Sequence, residues 1–304
     1  MVKRDILSLR ELGKEAIEEI LSMAKSEKIK IGDNSKRDNS LEHISMTTLF
    51  FENSTRTKLS FLLAGKYLGA YTDDLSVETS SVSKGESLID TGKTLDSMGT
   101  NVIVVRHSMA GSSHLIAKNV NASIINCGDG TNEHPTQGLL DMFTMKEQFG
   151  ELKDLQITIV GDIAHSRVAR SNIFGLQKMG AKITLAGPAT LVSPAMEELG
   201  VRVTHDVAQG IKGADVIMGL RVQQERQNTP KFPSLKEYAK FFGVNQKMID
   251  KYAKPDVFIM HPGPTNRGIE MSPEVIDAPN SLIYNQVSNG VAVRMACLKY
   301  VTKG

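Results

Sequence analysis

The sequence predicts an α/β chain of two doubly wound parallel-sheet domains of similar size, with a ligand site in the cleft between them. Three observations carry this expectation. Short β-rich runs alternate with helical patterns from end to end, with strands expected near 46–52, 102–106, 123–127, 157–161, 182–186, 201–204, 215–220 and 257–261, and such alternation marks parallel sheets covered by helices. A chain of 304 residues with 40% hydrophobic content has room for two cores, at roughly 150 residues per domain. Polar residues concentrate at strand ends: Arg106 and His107 close VIVV, His134 follows SIINCGDG, His165 and Arg167 follow ITIVGD, Arg221 follows ADVIMGL, and His261 follows VFIM. Open α/β sheets bind ligands outside the carboxyl ends of their strands, and the junction of two domains is a common small-molecule site.

Taken in order, the chain opens with Ser8 and Glu11 in a capping-box pattern ahead of Ile17, Ile20 and Leu21 on one helical face. Met46–Glu52 has the length and the β-branched and aromatic content of a buried strand, and Leu59, Leu62, Leu63 and Tyr67 recur at helical spacing. Ser54, Thr55, Arg56 and Thr57 therefore stand where a strand ends and a helix begins. Backbone N–H groups are unpaired there and the helix dipole is positive, so hydroxyls and a guanidinium suit a phosphate dianion. A phosphate cradle and an N-capping hydroxyl followed by an exposed arginine both fit this spacing.

The segment SVETSSVSKGES, residues 76–87, is a polar loop whose single cation is Lys84. Arg106 ends the next strand, and its planar fork of donors matches a phosphate better than a lysine would; a surface strand-end arginine is the plain alternative. His134, Pro135, Thr136 and Gln137 start a helix, where His134 serves either as a cap or as a group directed at a ligand. The charged segment Lys146–Lys153 precedes the apolar ITIVGD. The domain boundary is placed there, giving domains 1–150 and 151–287 with a C-terminal helix over 288–304. That helix is read from Val291, Ala292, Met295 and Leu298 after Ser288-Asn289. In the second half, Arg167 and Arg221 read on spacing alone as either salt-bridged or ligand-directed. Two prolines and Gly263 in His261-Pro262-Gly263-Pro264 make a rigid turn that lets backbone approach a ligand closely.

Several function classes are excluded by composition. A net charge of +2 from 36 basic and 34 acidic residues spread along the chain gives no footprint for nucleic acid or an acidic membrane. The two cysteines, Cys127 and Cys297, have no metal-ligand or redox spacing, so no disulfide and no metal site are expected, and a reducing cytoplasm is. Lys3, Arg4, Asp5, Arg10 and Glu11 break up any signal-peptide core, and no apolar run approaches the roughly 20 residues of a membrane span. GxxxxGK[ST] is missing, and GDIAHSRVARS retains only Gly161 of a dinucleotide-binding GxGxxG. No cofactor is expected.

STRT before an apolar helix, GDGTNEHPTQGLLD at 128–141 and HPGP at 261–264, in this order, resemble the catalytic chains of the aspartate carbamoyltransferase family over nearly the whole chain. The resemblance implies carbamoyl transfer from carbamoyl phosphate to the α-amine of L-aspartate, an early step of de novo pyrimidine synthesis, in an active site between the domains. Ser54, Thr55, Arg56 and Thr57 would hold the phosphate, Arg106 would span carbonyl and phosphate oxygens, and His134 and Gln137 would bind the carbamoyl group. Backbone at Gly263 and Pro264 would accept the carbamoyl NH2. Arg167 and Arg221 would each bind a carboxylate of aspartate, with Gln223 nearby. Ser80, with Ser81 and Ser83 as close rivals, and Lys84 would enter the site of a neighbouring subunit. The smallest competent assembly would then be a homotrimer with shared sites, to which separate regulatory chains can bind.

The implied mechanism needs no covalent intermediate. Arg106, His134 and Thr57 would polarise the carbonyl like an oxyanion hole, the leaving phosphate would accept the amine proton, and domain closure would exclude water. Ornithine carbamoyltransferase is the near alternative, but that family carries HCLP where this chain has HPGP, and an SMG loop in its second domain. Here SMG falls at Ser97–Gly99, in the first domain. Arg167, Arg221 and Lys84 would also repel the ammonium of ornithine. A non-catalytic carbamoyltransferase-like binding subunit is the alternative from another class; it should have lost polar site residues that this chain keeps.

Overall fold

The computed structural model describes residues 3–33, 37–76, 85–223, 232 and 234–303. The chain forms two compact units, Met1–Phe143 with Val287–Gly304, and Thr144–Gln286. Each contains one all-parallel sheet with helices, as the alternating pattern predicts.

The first unit runs α1 (Lys14–Gly32), β1 (Ser45–Phe50), α2 (Thr55–Tyr67), β2 (Tyr71–Ser76), α3 (Leu88–Ser97), β3 (Val102–His107), α4 (Ser112–Ala117) and β4 (Ser123–Asp129), then enters α5 (Pro135–Phe149). Its strand order is β2-β1-β3-β4. Central strands covered on both faces read as continuous apolar runs, and Val102, Ile103, Val104 and Val105 of β3 are fully buried. Leu49, Leu95, Ile103, Val105, Ile116 and Ile124 form a core between this sheet and its helices.

Strand β2 escapes sequence reading. Among the described residues its segment YTDDLS pairs only with β1 and is largely exposed, so no buried face imposes an apolar pattern, and charges blunt an edge. Thr48 Oγ1 donates to Asp74 Oδ1 at 2.6 Å, and Lys58 Nζ pairs with Asp74 Oδ2 at 3.0 Å. The Ser8–Glu11 pattern also needs correction. Ser8 Oγ does accept the Glu11 N–H at 3.1 Å, but it closes a turn, and α1 starts at Lys14 with Gly13 as N-cap. Ile17, Ile20 and Leu21 are buried as the periodicity requires.

The second unit contains β5 (Gln156–Val160), α6 (Arg167–Lys178), β6 (Lys182–Ala186), a 3-10 turn (Pro194–Leu199), β7 (Arg202–Thr204), α7 (Val207–Ile211), β8 (Val216–Gly219), α8 (Leu235–Phe242), α9 (Gln246–Tyr252), β9 (Phe258–Met260) and α10 (Pro273–Ile276). The order is β7-β6-β5-β8-β9. Val160, Ile217, Ile259, Met271 and Val275 belong to its core.

The last helix, α11 (Ile283–Thr302), starts earlier than the expected 288. Leu282 N–H is bonded to Ile259 O and Gln286 N–H to Leu282 O, so the helix starts beside β9. Ser288 and Asn289 lie inside it rather than capping it. Its C-terminal part is tied to α1 by charge. Lys299 Nζ lies 2.8 Å from both Glu27 Oε1 and Asp38 Oδ2, and Lys30 Nζ lies 3.1 and 2.7 Å from the same oxygens. Burial works against ionisation of Asp38, yet bonds from Lys299, Lys30 and Ser40 outweigh it and hold the carboxyl below the usual range. No helix among the described residues is long and apolar enough to cross a membrane.

Candidate active site

Each sheet reverses its strand order once, and Ser54–Thr57, Arg106, Arg167 and Arg221 stand at those reversals, whereas His134, Gln137, Gly263 and Pro264 follow the edge strands β4 and β9. In the first sheet the reversal is between β1, which STRT follows, and β3, which ends in Arg106 and His107. Ser54 is the extended N-cap of α2, but its side chain makes no capping bond. It accepts from Arg106 Nη1 at 3.2 Å instead, while Arg106 Nε donates to Glu52 Oε2 at 3.2 Å. The first turn of α2 carries no acid. A helix start without a side-chain cap, beside a guanidinium, is an anion site by its partial charges. Thr55 and Arg56 are exposed and Thr57 is buried, so the first two are free to meet a ligand while Thr57 anchors the turn. The His107 ring packs against Phe51 with centroids 4.5 Å apart and the planes tilted by 55°, and burial pushes its pKa down.

The loop from β4 to α5 is held by two acids that sequence reading did not single out. Asp129, fully buried, accepts from Gly111 N at 2.7 Å, Asn126 Nδ2 at 2.8 Å, Asn132 Nδ2 at 3.0 Å and Glu133 N at 3.1 Å. The buried Glu133 carboxylate accepts Leu9 N at 2.8 Å and Arg10 N at 3.2 Å. Gly130 has φ +53°, and a Cβ there would stand 2.8 Å from Ser108 O. Thus fixed, the loop delivers His134 and Gln137, both buried at the start of α5. His134 Nδ1 is 3.5 Å from Thr136 Oγ1, and Gln137 Nε2 donates to Asp141 Oδ1 at 2.9 Å.

In the second sheet the reversal is between β5 and β8, the strands followed by Asp162–Arg167 and by Arg221. Asp162, fully buried, ties these loops together. Its Oδ1 accepts His165 Nδ1 at 2.8 Å and N at 3.2 Å, and its Oδ2 accepts Gln223 N at 3.1 Å. Ser166 caps α6 by accepting Ala169 N at 3.1 Å, which puts Arg167, only 3% exposed, at the first helical position. A buried cation at a helix N-terminus is opposed by the dipole, so the position suits an arginine that meets an anion. Arg221 and Gln223 are half-buried.

His261 is buried, with Nδ1 accepting Gly263 N at 2.9 Å and its own N–H bonded to Gln286 Oε1 at 2.9 Å. Nε2 therefore carries the proton and faces Glu270 Oε1 at 3.3 Å. These bonds shape the Gly263–Pro264 turn, whose peptide is cis. In the following TNRG, Arg267 is engaged by Asp277 at 2.6 and 2.7 Å, a structural role. Ser80 and Lys84, with Ser81 and Ser83, lie outside the described residues. Among the described residues no cluster of three or more His, Cys, Asp or Glu could hold a metal ion.

Residues 4–147 match the carbamoyl-P binding domain of aspartate/ornithine carbamoyltransferases, and residues 153–301 match their Asp/Orn binding domain. The chain belongs to this carbamoyltransferase family. The aspartate carbamoyltransferase catalytic subunit of Ruminiclostridium cellulolyticum is 55% identical over 99% of this chain and 96% of its own length. Aspartate transcarbamoylase from Trypanosoma cruzi, in complex with carbamoyl phosphate and aspartate, superposes with a TM-score of 0.87 at 31% identity, covering 97% of this chain and 96% of that one. Ornithine carbamoyltransferase from Pyrococcus furiosus also reaches 0.87, at 30% identity, covering 100% and 99%. Fold alone thus does not separate the two branches of the carbamoyltransferase family, whereas identity over the full length places this enzyme with the aspartate carbamoyltransferases.

Proposed function

We propose that the first unit binds carbamoyl phosphate through Ser54, Thr55, Arg56, Thr57, Arg106, His134 and Gln137, and that the second binds L-aspartate through Arg167, Arg221 and Gln223. The reaction is transfer of the carbamoyl group to the aspartate amine, giving N-carbamoyl-L-aspartate and phosphate, in de novo pyrimidine synthesis. The observation that carries the assignment is the surrender of the Ser54 cap to Arg106. It leaves the α2 start uncapped by a side chain and lines up hydroxyl, guanidinium and amides for one phosphate. Backbone at Gly263 and Pro264 accepts the carbamoyl NH2. Arg106, His134 and Thr57 polarise the carbonyl as the tetrahedral centre forms. The amine attacks the carbonyl carbon, the bond to the bridging oxygen breaks, and the departing phosphate takes the amine proton.

The aspartate side of the assignment is tested at Arg167. Two guanidinium forks on one small dicarboxylate make charge-assisted bonds about twice as strong as neutral ones. Arg167→Gln should therefore raise the aspartate KM by about a hundredfold with little change in carbamoyl phosphate affinity. An unchanged aspartate KM removes Arg167 from the substrate.

The same reading makes the active unit a cytoplasmic homotrimer in which Ser80 and Lys84 complete a neighbour's site, with separate regulatory chains as further partners. Exposed apolar side chains on α2, Leu59 at 53% and Leu63 at 41%, and Tyr71 at 70% on the unpaired edge of β2, support association through this side of the first unit. Mixing inactive Lys84→Ala and inactive Arg56→Ala subunits should restore part of the activity. No recovery in verified mixed oligomers counts against shared sites.

A further inference from the structure

Gln137 and Asp141 lie one turn apart on the same face of α5, and both are buried. The Gln137 amide nitrogen donates to Asp141 Oδ1 at 2.9 Å. A carboxylate accepts and does not donate, so this bond fixes the NH2 end of the amide on the Asp141 side and turns the carbonyl oxygen to the opposite side. An amide without such a partner could present either end.

The same unit also buries a cation. Arg294 of α11 is 4% exposed, and its guanidinium lies over the Phe61 ring of α2 at 5.4 Å, a cation–π contact with the cradle helix itself. Gly290, one turn earlier in α11, leaves the room it needs, since a Cβ there would collide with Arg294 Nη1. Burial works against the charge of this guanidinium and pushes its pKa down, and negative charge at Asp141 opposes that shift. The C-terminal helix therefore reaches α2 through Phe61.

We propose that Asp141 is the positioning residue that turns the Gln137 carbonyl oxygen toward the substrate NH2, and so selects a carbamoyl phosphate over an acyl phosphate. This rests on the reading of Gln137 as a carbamoyl contact. The share of the preference set here comes from the hydrogen bond to Gln137, beside those to backbone at Gly263 and Pro264; an NH2-bearing substrate can donate it, and acetyl phosphate, with methyl in its place, cannot.

The test titrates the full-length assembled enzyme with carbamoyl phosphate, acetyl phosphate and inorganic phosphate. In Asp141→Ala the preference for carbamoyl over acetyl phosphate should shrink by about tenfold, with the Kd for inorganic phosphate within about twofold of wild type. Gln137→Ala should lose the same preference, and the double variant should lose no more. Asp141→Asn, which keeps an acceptor oxygen, should retain the preference within about threefold. Should Asp141→Ala fail to fold, Asp141→Leu, which fills the site while removing the acceptor, is used instead, and the same loss is expected. A preference lost in Gln137→Ala but kept in Asp141→Ala overturns the positioning role alone. A preference kept in Gln137→Ala overturns the Gln137 contact and the proposal with it. Equal weakening of all three ligands in Asp141→Ala, or a loss in Asp141→Asn as large as in Asp141→Ala, also overturns it.

Discussion

Arg56→Ala should lower kcat/KM by at least about a thousandfold, the scale on which a guanidinium that neutralises developing phosphate charge acts. The position makes this a clean experiment. Arg56 is exposed in the first turn of α2, and surface substitutions of this kind change stability by only about ±0.5 kcal/mol. A loss of rate with an unchanged Tm would then belong to the chemistry and not to unfolding. A variant that keeps near wild-type turnover would remove the phosphate-cradle assignment, and the capped-helix reading of STRT would stand in its place.

His134→Ala should lower kcat by about a hundredfold or more, the cost of removing one donor from an oxyanion hole. Here the fold must be monitored, because His134 is 4% exposed and truncating a buried side chain leaves a cavity. The signature that separates the two effects is a fall in kcat that persists at saturating substrate and at temperatures well below the variant's Tm. An unchanged kcat would reduce His134 to a helix-start residue whose ring meets Thr136 Oγ1 at 3.5 Å.

Much of this was legible in the sequence, for a physical reason. Buried parallel strands such as SIINCGD and VIVV are continuous apolar runs, and the polar residue that ends such a run is conspicuous. Arg106, His134, Arg167 and Arg221 were visible in that way, and the topology puts Arg106, Arg167 and Arg221 beside sheet reversals. Strand β2 was not visible because it is an edge with Asp73 and Asp74 in its middle. The starts of α1 and α11 were misplaced because a Ser–x–x–Glu pattern closes a turn as readily as it caps a helix, and because Ser288 and Asn289 sit within a helix that continues through them. Asp129, Glu133 and Asp162 went unnoticed for a different reason. A buried acid satisfied by backbone N–H groups looks in sequence like any surface acid, and only the fold reveals what it holds. Two loop residues, Ser80 and Lys84, came from resemblance alone; no local pattern distinguishes them from a solvated loop.

In the proposed function Arg167 and Arg221 meet a dicarboxylate, and this is what would divide the enzyme from the ornithine carbamoyltransferase of the same fold. The most direct measurement is a product assay on the purified chain alone, with carbamoyl phosphate and either L-aspartate or L-ornithine. Formation of N-carbamoyl-L-aspartate, with no citrulline, is the expected result. Citrulline from ornithine, with aspartate left unused, would contradict the account.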